Sequence, residues 1–313
     1  MATILITGGA GFIGSNLAHA LVARGDEVRI LDDLSSGRRE NLADIADRVS
    51  LTVGDIRDAD TVQRVMAGVD YVLHQAALPS VARSVEQPLV SHDVNINGTL
   101  NVLESARQAG VKRLVYAASS SAYGETPVLP KVEHMTPDPI SPYGICKLVG
   151  EYYCKVYTST FGLPCVALRY FNVFGARQAP DSEYAAVVPK FVTLMLAGES
   201  PIVHGDGGQT RDFCYIDNVV EANLRALEAP AAPGHVYNVA CGDRVSLLDL
   251  VDAINGVLGT QIAPRFTETR AGDIRDSLAD IGAARRDLGY TGAVGFRDGL
   301  LRAIDWYRDN PSA

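Results

Sequence analysis

Apolar residues in the first 170 positions fall into short β-branched runs that alternate with longer amphipathic stretches. The amphipathic stretches predict four helices, and the strands of this pattern are apolar throughout, as in a parallel sheet covered on both faces. Right-handed crossovers between such strands give a doubly wound α/β sheet. The predicted strands are Thr3–Ile6, Val28–Leu31, Ser50–Val53, Tyr71–Leu73, Arg113–Ala117 and Cys165–Leu168. The predicted helices are Phe12–Ala23, Ala59–Met66, Leu89–Gln108 and Lys147–Phe161.

After Phe171 the pattern changes to turns and loops with short, widely spaced elements. We therefore predict a sheet domain over residues 1–172 and a smaller, irregular α/β domain over residues 173–313. A segment near 211–240 is expected to return to the first sheet. The helices predicted in this second part are Val187–Leu196, Val219–Leu227, Leu247–Leu258 and Phe296–Trp306.

Composition narrows the possible classes of protein. The chain has 313 residues, of which 47% are hydrophobic and 21% charged, the balance of a globular enzyme. A net charge of −9 opposes binding to a nucleic-acid backbone. We find no apolar run long enough to span a membrane and no signal peptide, and we expect a cytoplasmic protein. Five cysteines without a CxxC motif and six histidines without an HxxxH motif predict reduced thiols and no metal site.

A glycine-rich turn, Thr7-Gly8-Gly9-Ala10-Gly11-Phe12-Ile13-Gly14, stands between the first predicted strand and the first predicted helix. Glycines there let the backbone approach a pyrophosphate closely, and a helix N-terminus presents free N–H groups to it. The turn therefore predicts a dinucleotide site in a Rossmann sheet, with Gly8, Gly11, Phe12, Ile13 and Gly14 in contact with the ligand.

An acidic residue follows the second strand, where it can accept hydrogen bonds from the adenosine ribose. This residue is Asp32, and Asp33 beside it would repel a 2′-phosphate, so NAD is favoured over NADP. The turn Ser35-Ser36-Gly37 comes next. Asp55 and Ile56, after the third strand, are placed to meet the adenine. Gln75, Ala76 and Ala77, after the fourth strand, leave room for the cofactor.

Tyr143 and Lys147 form a Tyr-x-x-x-Lys pair, which places both side chains on one helix face. The ammonium and an oxidised nicotinamide would favour the phenolate, so Tyr143 is predicted to act as a base near neutral pH. Ser119 follows the fifth strand, and its hydroxyl is expected to bind the substrate hydroxyl and assist the proton transfer.

These residues resemble the extended short-chain dehydrogenases/reductases over nearly the whole chain, and more narrowly the UDP-hexose 4-epimerases. The shared segments are Thr7–Gly14, Asp93–Thr99, Ser119–Gly124, Tyr143 with Lys147, and Arg169–Asn172. The resemblance implies that Ser119, Tyr143 and Lys147 are catalytic, that a bound NAD is reused in every turnover, and that the chain is a homodimer. The resemblance also predicts that four further residues contact the cofactor: Ser36, Gly37, Asn95 and Tyr170.

The resemblance also implies how a UDP-sugar is held. Arg211 and Arg270 match the two arginines that bind the diphosphate, Asn172 matches the asparagine that holds a diphosphate oxygen, and Asp273 matches the ribose contact. Val188 and Phe191 fall where the family contacts uracil.

The size of the sugar is suggested by the position four residues after Asp273, where epimerases restricted to glucose and galactose have a tyrosine. This chain has Ser277, which leaves room for an N-acetyl group, and the surrounding sequence is most similar to bacterial UDP-N-acetylglucosamine 4-epimerases. The sugar pocket of those enzymes matches Ser80, Ser121, Asn172, Gln178, Ala186 and Ser277. We predict epimerisation of UDP-N-acetylglucosamine and UDP-N-acetylgalactosamine, and of UDP-glucose and UDP-galactose as well.

Three alternatives remain open. A 4,6-dehydratase would have an acid and a base directly after Ser119, where this chain has Ser120 and Ser121. A UDP-glucuronate 4-epimerase or decarboxylase would need a partner for the sugar carboxylate, which Arg83 could offer, but the asparagine at 172 argues against it. A non-catalytic NAD(H)-binding regulator would have lost the tyrosine or the lysine.

Overall fold

The computed structural model describes residues 1–180, 186–268 and 275–311. Its centre is a seven-stranded sheet in the order β11-β6-β5-β4-β1-β2-β3, and every pair of neighbouring strands is parallel. The sheet confirms the doubly wound α/β architecture. Its strands are β1 (Thr3–Thr7), β2 (Glu27–Asp32), β3 (Val49–Val53), β4 (Tyr71–His74), β5 (Arg113–Ser119), β6 (Cys165–Tyr170) and β11 (Val236–Val239).

Helices cover both faces of this sheet, as the continuous apolar strands require. Packed against one face are α1 (Phe12–Arg24) and α8 (Ile216–Glu228). The other face is covered by α2 (Ala59–Met66), α5 (Thr99–Gln108) and α6 (Pro142–Phe161). Two short helices, α3 (Val81–Glu86) and α4 (Pro88–His92), pack against α6. The core residues of β1, β4, β5 and β6 are almost completely buried between these layers.

The helix predicted over Leu89–Gln108 is divided into three parts. It begins with α4, continues as a π-helix over Asp93–Gly98 and ends with α5. Asn95, within the π-helix, is turned into the protein, where its side chain bonds both the N–H and the carbonyl of Leu78. The inserted turn accommodates this inward amide.

α6 begins five residues before its predicted start. Ser141 caps the helix by accepting the N–H of Gly144, and Pro142 occupies the first turn, where its missing N–H costs nothing. Tyr143 and Lys147 therefore both lie inside the helix, in its first two turns.

Three short sheets and several helices build the second part of the chain. β7 (Val173–Phe174) pairs with β10 (Cys214–Tyr215), β9 (Thr210–Arg211) with β12 (Val245–Ser246), and β8 (Ile202–His204) with β13 (Arg265–Thr267). β11 leaves this part and pairs with β6 in the main sheet, whereas the division at residue 172 stays a prediction. The helices are α7 (Val187–Leu196), α9 (Leu247–Leu258), α10 (Gly282–Leu288) and α11 (Phe296–Asp309). None of the helices in the described ranges is both long and apolar enough to cross a membrane.

Candidate active site

A cavity of about 400 Å³ opens along the carboxyl edge of the sheet. Parallel strands end at the same edge, so residues that follow β1, β2, β3 and β4 meet there, beside Ala117 and Ala118 of β5. Loops from the second part of the chain close its far side. Its lining includes Gly8, Gly11, Phe12, Ile13, Gly14, Asp32, Asp33, Ser36, Asp55, Ile56, Gln75, Ala76, Ala77, Tyr143, Lys147, Tyr170, Gln178 and Ala186, all of which the sequence analysis placed at the site.

The glycine turn is packed so closely that side chains are excluded from it. Gly8 has a φ of +71°, and a Cβ on it would lie 2.7 Å from the Ala76 nitrogen. A Cβ on Gly14 would lie 2.1 Å from the carbonyl oxygen of Gly8. The backbone at the start of α1 is therefore bare, and this cradle fits a dinucleotide pyrophosphate at a helix N-terminus.

Asp32, at the end of β2, is hydrogen-bonded to the glycine turn. Its carboxylate accepts the N–H of Ala10 at 2.9 Å and the N–H of Leu34 at 2.8 Å. Burial raises the pKa of Asp32, although these hydrogen bonds oppose the rise. The carboxylate thus lines the cavity and also orients the turn, a second role that the spacing of the sequence did not reveal.

A chain of hydrogen bonds runs through the buried His74 at the end of β4. Thr7 Oγ1 lies 2.6 Å from Nδ1 of His74, and Nε2 lies 3.0 Å from Thr99 Oγ1. Because Thr99 donates its hydroxyl proton to the Asn95 carbonyl, Nε2 of His74 must donate to Thr99 and Nδ1 must accept from Thr7. Burial lowers the pKa of His74 to about 3, which keeps the ring neutral.

Tyr143 and Lys147 lie on the face of α6 that is turned towards β5. The Lys147 ammonium donates to the carbonyl of Ala117 at 2.8 Å and lies 5.8 Å from the ring centre of Tyr143. It also lies 5.1 Å from the ring centre of Tyr116. Burial lowers the pKa of Lys147 to about 8, so the side chain carries most of its charge at neutral pH.

The acidity of Tyr143 differs from the sequence-based expectation. Burial raises the pKa of its phenol to about 12, a hydrogen bond with Ser119 opposes the rise, and the neighbouring Cys146 adds to it. Lys147 alone does not bring the phenol near neutrality. The prediction that Tyr143 serves as a base therefore depends on a further positive charge in the cavity.

The serines after β5 bond to each other. Ser119 Oγ lies 3.0 Å from Ser121 Oγ and accepts the N–H of Ser121, which starts a short 3-10 helix over Ser120–Tyr123. The structure thus brings Ser119 to Tyr143, as the sequence predicted, and places Ser121 beside Ser119.

Several residues predicted to contact the cofactor have side-chain or backbone contacts with other residues of the chain. The side chain of Asn95 holds the Leu78 backbone, and Gly37 packs against Asp32, where a Cβ would lie 2.7 Å from Oδ1. The carboxylate of Asp55 is bound by Arg57, which lowers its pKa. Of these, Asn95 and Gly37 do not line the cavity, and their predicted contacts with the cofactor remain predictions.

Part of the predicted sugar site comes together at Asn172. Its side-chain amide donates to the carbonyl of Asp212 at 3.2 Å and lies 3.5 Å from Ser277 Oγ. The guanidinium of Arg211 donates to the carbonyls of Thr210 and Arg275.

The other predicted substrate residues are more dispersed. Ser80 caps α3 by accepting the N–H of Arg83, whereas Val188 and Phe191 are buried in the hydrophobic core. Arg270 and Asp273 lie outside the described residues.

Sequence reasoning missed two charged features of the site. Arg177, with a φ of +67°, lines the cavity and donates to Asn16 Oδ1 at 3.0 Å. Glu151 and Arg169 form a buried ion pair below Lys147. The signal for Glu151 was its place four residues after Lys147, which continues the spacing of the Tyr143–Lys147 pair. Within the described ranges, no group of three or more His, Cys, Asp or Glu side chains could hold a metal ion.

Comparison with known proteins identifies the family. Residues 4–240 match the model of the NAD dependent epimerase/dehydratase family, and the chain belongs to that family. A UDP-glucose 4-epimerase from Mycolicibacterium smegmatis is 40% identical over 97% of this chain and 98% of the relative.

Two solved structures share the fold closely. One is a UDP-N-acetylglucosamine 4-epimerase from Methanobrevibacter ruminantium M1 in complex with UDP-N-acetylmuramic acid, with a TM-score of 0.94, 38% identity and 99% of each chain covered. The other is a UDP-glucose 4-epimerase from Thermus thermophilus in complex with NAD, with a TM-score of 0.89 and 36% identity. It covers 98% of this chain and 99% of the solved one.

Proposed function

We propose that the chain is an isomerase that inverts C4 of a UDP-sugar with a bound NAD. The observation that carries the proposal is one cavity in which the bare glycine turn and the Tyr143–Lys147 pair face the same space. Family membership and the epimerases named above support it. NAD is preferred to NADP because Asp32 and Asp33 both line the cavity and would repel a 2′-phosphate.

A NAD held by the glycine turn and Asp32 would supply the redox chemistry, since it can accept a hydride from C4 of the sugar and return it to the opposite face. Tyr143 accepts the proton of the 4-hydroxyl in the first half of the reaction and gives it back in the second. Its raised pKa means that the phenol ionises readily only beside a cation, and an oxidised nicotinamide is one. Ser119 orients the reacting oxygen, and Lys147 supplies a fixed positive charge.

For the sugar, we propose N-acetylglucosamine and N-acetylgalactosamine, with glucose and galactose also accepted. Ser277 is small, and its hydroxyl lies 3.5 Å from the side-chain amide of Asn172. A tyrosine at this position, as in epimerases restricted to glucose and galactose, would add an aromatic ring there. Two other residues of the predicted sugar pocket, Gln178 and Ala186, line the cavity.

The test compares UDP-glucose and UDP-N-acetylglucosamine as substrates of the wild type and of Ser277→Tyr, with the epimers followed by proton NMR. We expect the wild type to convert both sugars. The tyrosine should reduce kcat/KM for the acetylated sugar at least ~50-fold, the order of discrimination that a filled pocket provides, and should leave UDP-glucose within a few-fold.

Ser50→Tyr, at an exposed position of the edge strand β3, is the matched control and should behave as the wild type. Equal loss of both sugars in Ser277→Tyr would refute the assignment of the sugar. A wild type that holds NAD but converts neither sugar would favour a regulator instead.

We also propose that the chain forms a homodimer through α4 and α6. Apolar side chains on and beside these helices are exposed: Val85 is 62% exposed, Leu89 83%, Ile145 50%, Tyr152 55% and Val156 44%. Leu148 and Tyr153, which lie on the same helix, are half-buried. A second copy would cover the exposed residues and remove them from water.

A further inference from the structure

Tyr143, Lys147 and Glu151 follow one another at intervals of four residues along α6. Such spacing stacks them on one face of the helix, one turn apart. Lys147 and Glu151 are each only 3% exposed. The epimerase mechanism proposed above uses Tyr143 and Lys147 and assigns no role to the buried carboxylate of Glu151.

Glu151 is held by a two-pronged contact with Arg169 of β6. Nε of Arg169 donates to one carboxylate oxygen at 2.8 Å and Nη2 donates to the other at 2.7 Å. The guanidinium also stacks on the ring of Tyr123, with its carbon 4.5 Å from the ring centre. Arg169 therefore holds both carboxylate oxygens of Glu151 in one orientation.

Stability alone is a weak reason for this arrangement. Removing two charges from water costs about as much as their attraction returns, and apolar pairs of similar volume are often neutral or stabilising replacements. A buried ion pair directly below the catalytic pair calls for an electrostatic explanation.

The groups around Lys147 show what that explanation is. At neutral pH the titratable side chains that face it are uncharged, with one exception: burial raises the pKa values of Tyr116, Tyr143 and Cys146, and lowers that of His74. The exception is Glu151, whose two oxygens are both bonded by the guanidinium of Arg169, as in an ion pair. Burial raises the pKa of its carboxyl and the ion pair with Arg169 opposes the rise. A negative charge four residues from Lys147 favours the protonated form of that lysine.

The remaining ionisable side chains on elements that pack against α6 are half-buried or exposed. They are Arg83, Glu86, His92, Asp93, Glu104, Arg107 and Arg113. Among the described residues, Glu151 is thus the one anion that faces the buried ammonium.

We propose that Glu151, fixed by Arg169, is a positioning residue that keeps Lys147 cationic and seated on the Ala117 carbonyl beside Tyr143. Arg169 acts one step further away, because it holds the carboxylate in its ionised form and in one place. The inference rests on the proposed epimerase function, since its consequence is seen in the pH dependence of turnover.

The test replaces the pair by two side chains of similar length without charge, Glu151→Met/Arg169→Met, and measures kcat against pH. Of the two charges in the pair, the carboxylate is the one that acts on the pKa of Lys147. Its loss should lower that pKa further and move the alkaline limb of the profile to lower pH by ~0.5–1 unit. At pH values below the limb, kcat should stay within about threefold of the wild type, and the NAD content should be unchanged. A purely structural role would instead lower kcat at every pH and leave the limb in place.

Two further variants make the result decisive. Glu151→Gln/Arg169→Gln keeps a hydrogen-bonded pair without net charge and should show the same displacement, even if the methionine pair folds poorly. Glu27→Met/Arg29→Met removes an exposed Glu–Arg pair on β2 that does not face Lys147, and its profile should match the wild type. An unmoved alkaline limb in both pair variants would overturn the inference, whereas an inactive wild type would overturn the proposed function.

Discussion

Gly14→Ala tests whether the glycine turn is a cradle for the dinucleotide. The added Cβ would lie 2.1 Å from the carbonyl oxygen of Gly8 and 2.7 Å from the Cα of Gly9. Both neighbours are backbone atoms of the same turn, so no side chain can rotate away. The turn must move by more than ~1 Å to restore ordinary contact distances.

The loss of NAD affinity depends on how much of the strain in Gly14→Ala is relieved by moving the glycine turn. Overpacking of this kind costs about 1–3 kcal/mol. Because the turn is tied to Asp32 through the N–H of Ala10, its displacement also disturbs the N–H groups at the start of α1 that face the pyrophosphate. If binding bears most of that cost, the affinity for NAD falls about 5- to 150-fold.

Calorimetric titration of NAD into cofactor-free protein measures this loss, and urea unfolding measures the stability. Gly256→Ala is the matched control, since Gly256 lies in α9 with no atom within 4 Å of the added Cβ. It should leave NAD affinity unchanged and raise the free energy of unfolding by about 0.5–1 kcal/mol. Gly14→Ala with wild-type affinity for NAD would refute the reasoning about the cradle.

Two other predictions concern stability and assembly. The pKa of His74 is about 3 in the folded protein and near 6.5 in the unfolded chain. Between these values only the unfolded chain binds a proton at this residue. The free energy of unfolding should therefore decrease by about 1.4 kcal/mol for each pH unit below 6.5. Urea unfolding between pH 6.5 and 4.5 should show a shallower decline for His74→Asn than for the wild type, and parallel curves would contradict this. Leu89→Glu should convert a dimer into a monomer in sedimentation at micromolar concentration, while Leu301→Glu, at an exposed position of α11, should not. A monomeric wild type would exclude the dimer.

Much of the sheet was predictable because buried parallel strands leave a strong signal. The helices Ala59–Met66, Val187–Leu196 and Leu247–Leu258 match their predicted bounds, since each repeats apolar positions at helical spacing. The π-helix of Asp93–Gly98 could not be predicted, because it depends on the contact of Asn95 with the backbone of Leu78, seventeen residues away. Periodicity carries no information about such a contact.

The sequence predicted which residues form the site better than it predicted their pKa values and hydrogen-bond partners. The Tyr-x-x-x-Lys spacing places Tyr143 and Lys147 together, but the raised pKa of the phenol comes from burial, which depends on the packing of α6 against β5. Likewise, Asp32 was placed after β2 by its position, whereas its bond to Ala10 depends on the fold of the turn. Motifs name the groups, and tertiary packing sets their acidity and their partners.

The central claim is that Tyr143 and a bound NAD act together at position 4 of the sugar, the phenol on the hydroxyl proton and the nicotinamide on the C4 hydride. Its most direct test uses UDP-sugar labelled with deuterium at C4, in buffered ordinary water, with the label followed by NMR in wild type and in Tyr143→Phe. We expect the wild type to invert C4 and keep the deuterium there, and the phenylalanine variant to retain NAD but lose at least ~100-fold in kcat. Exchange of the label with solvent, or full activity without the phenol, would contradict it.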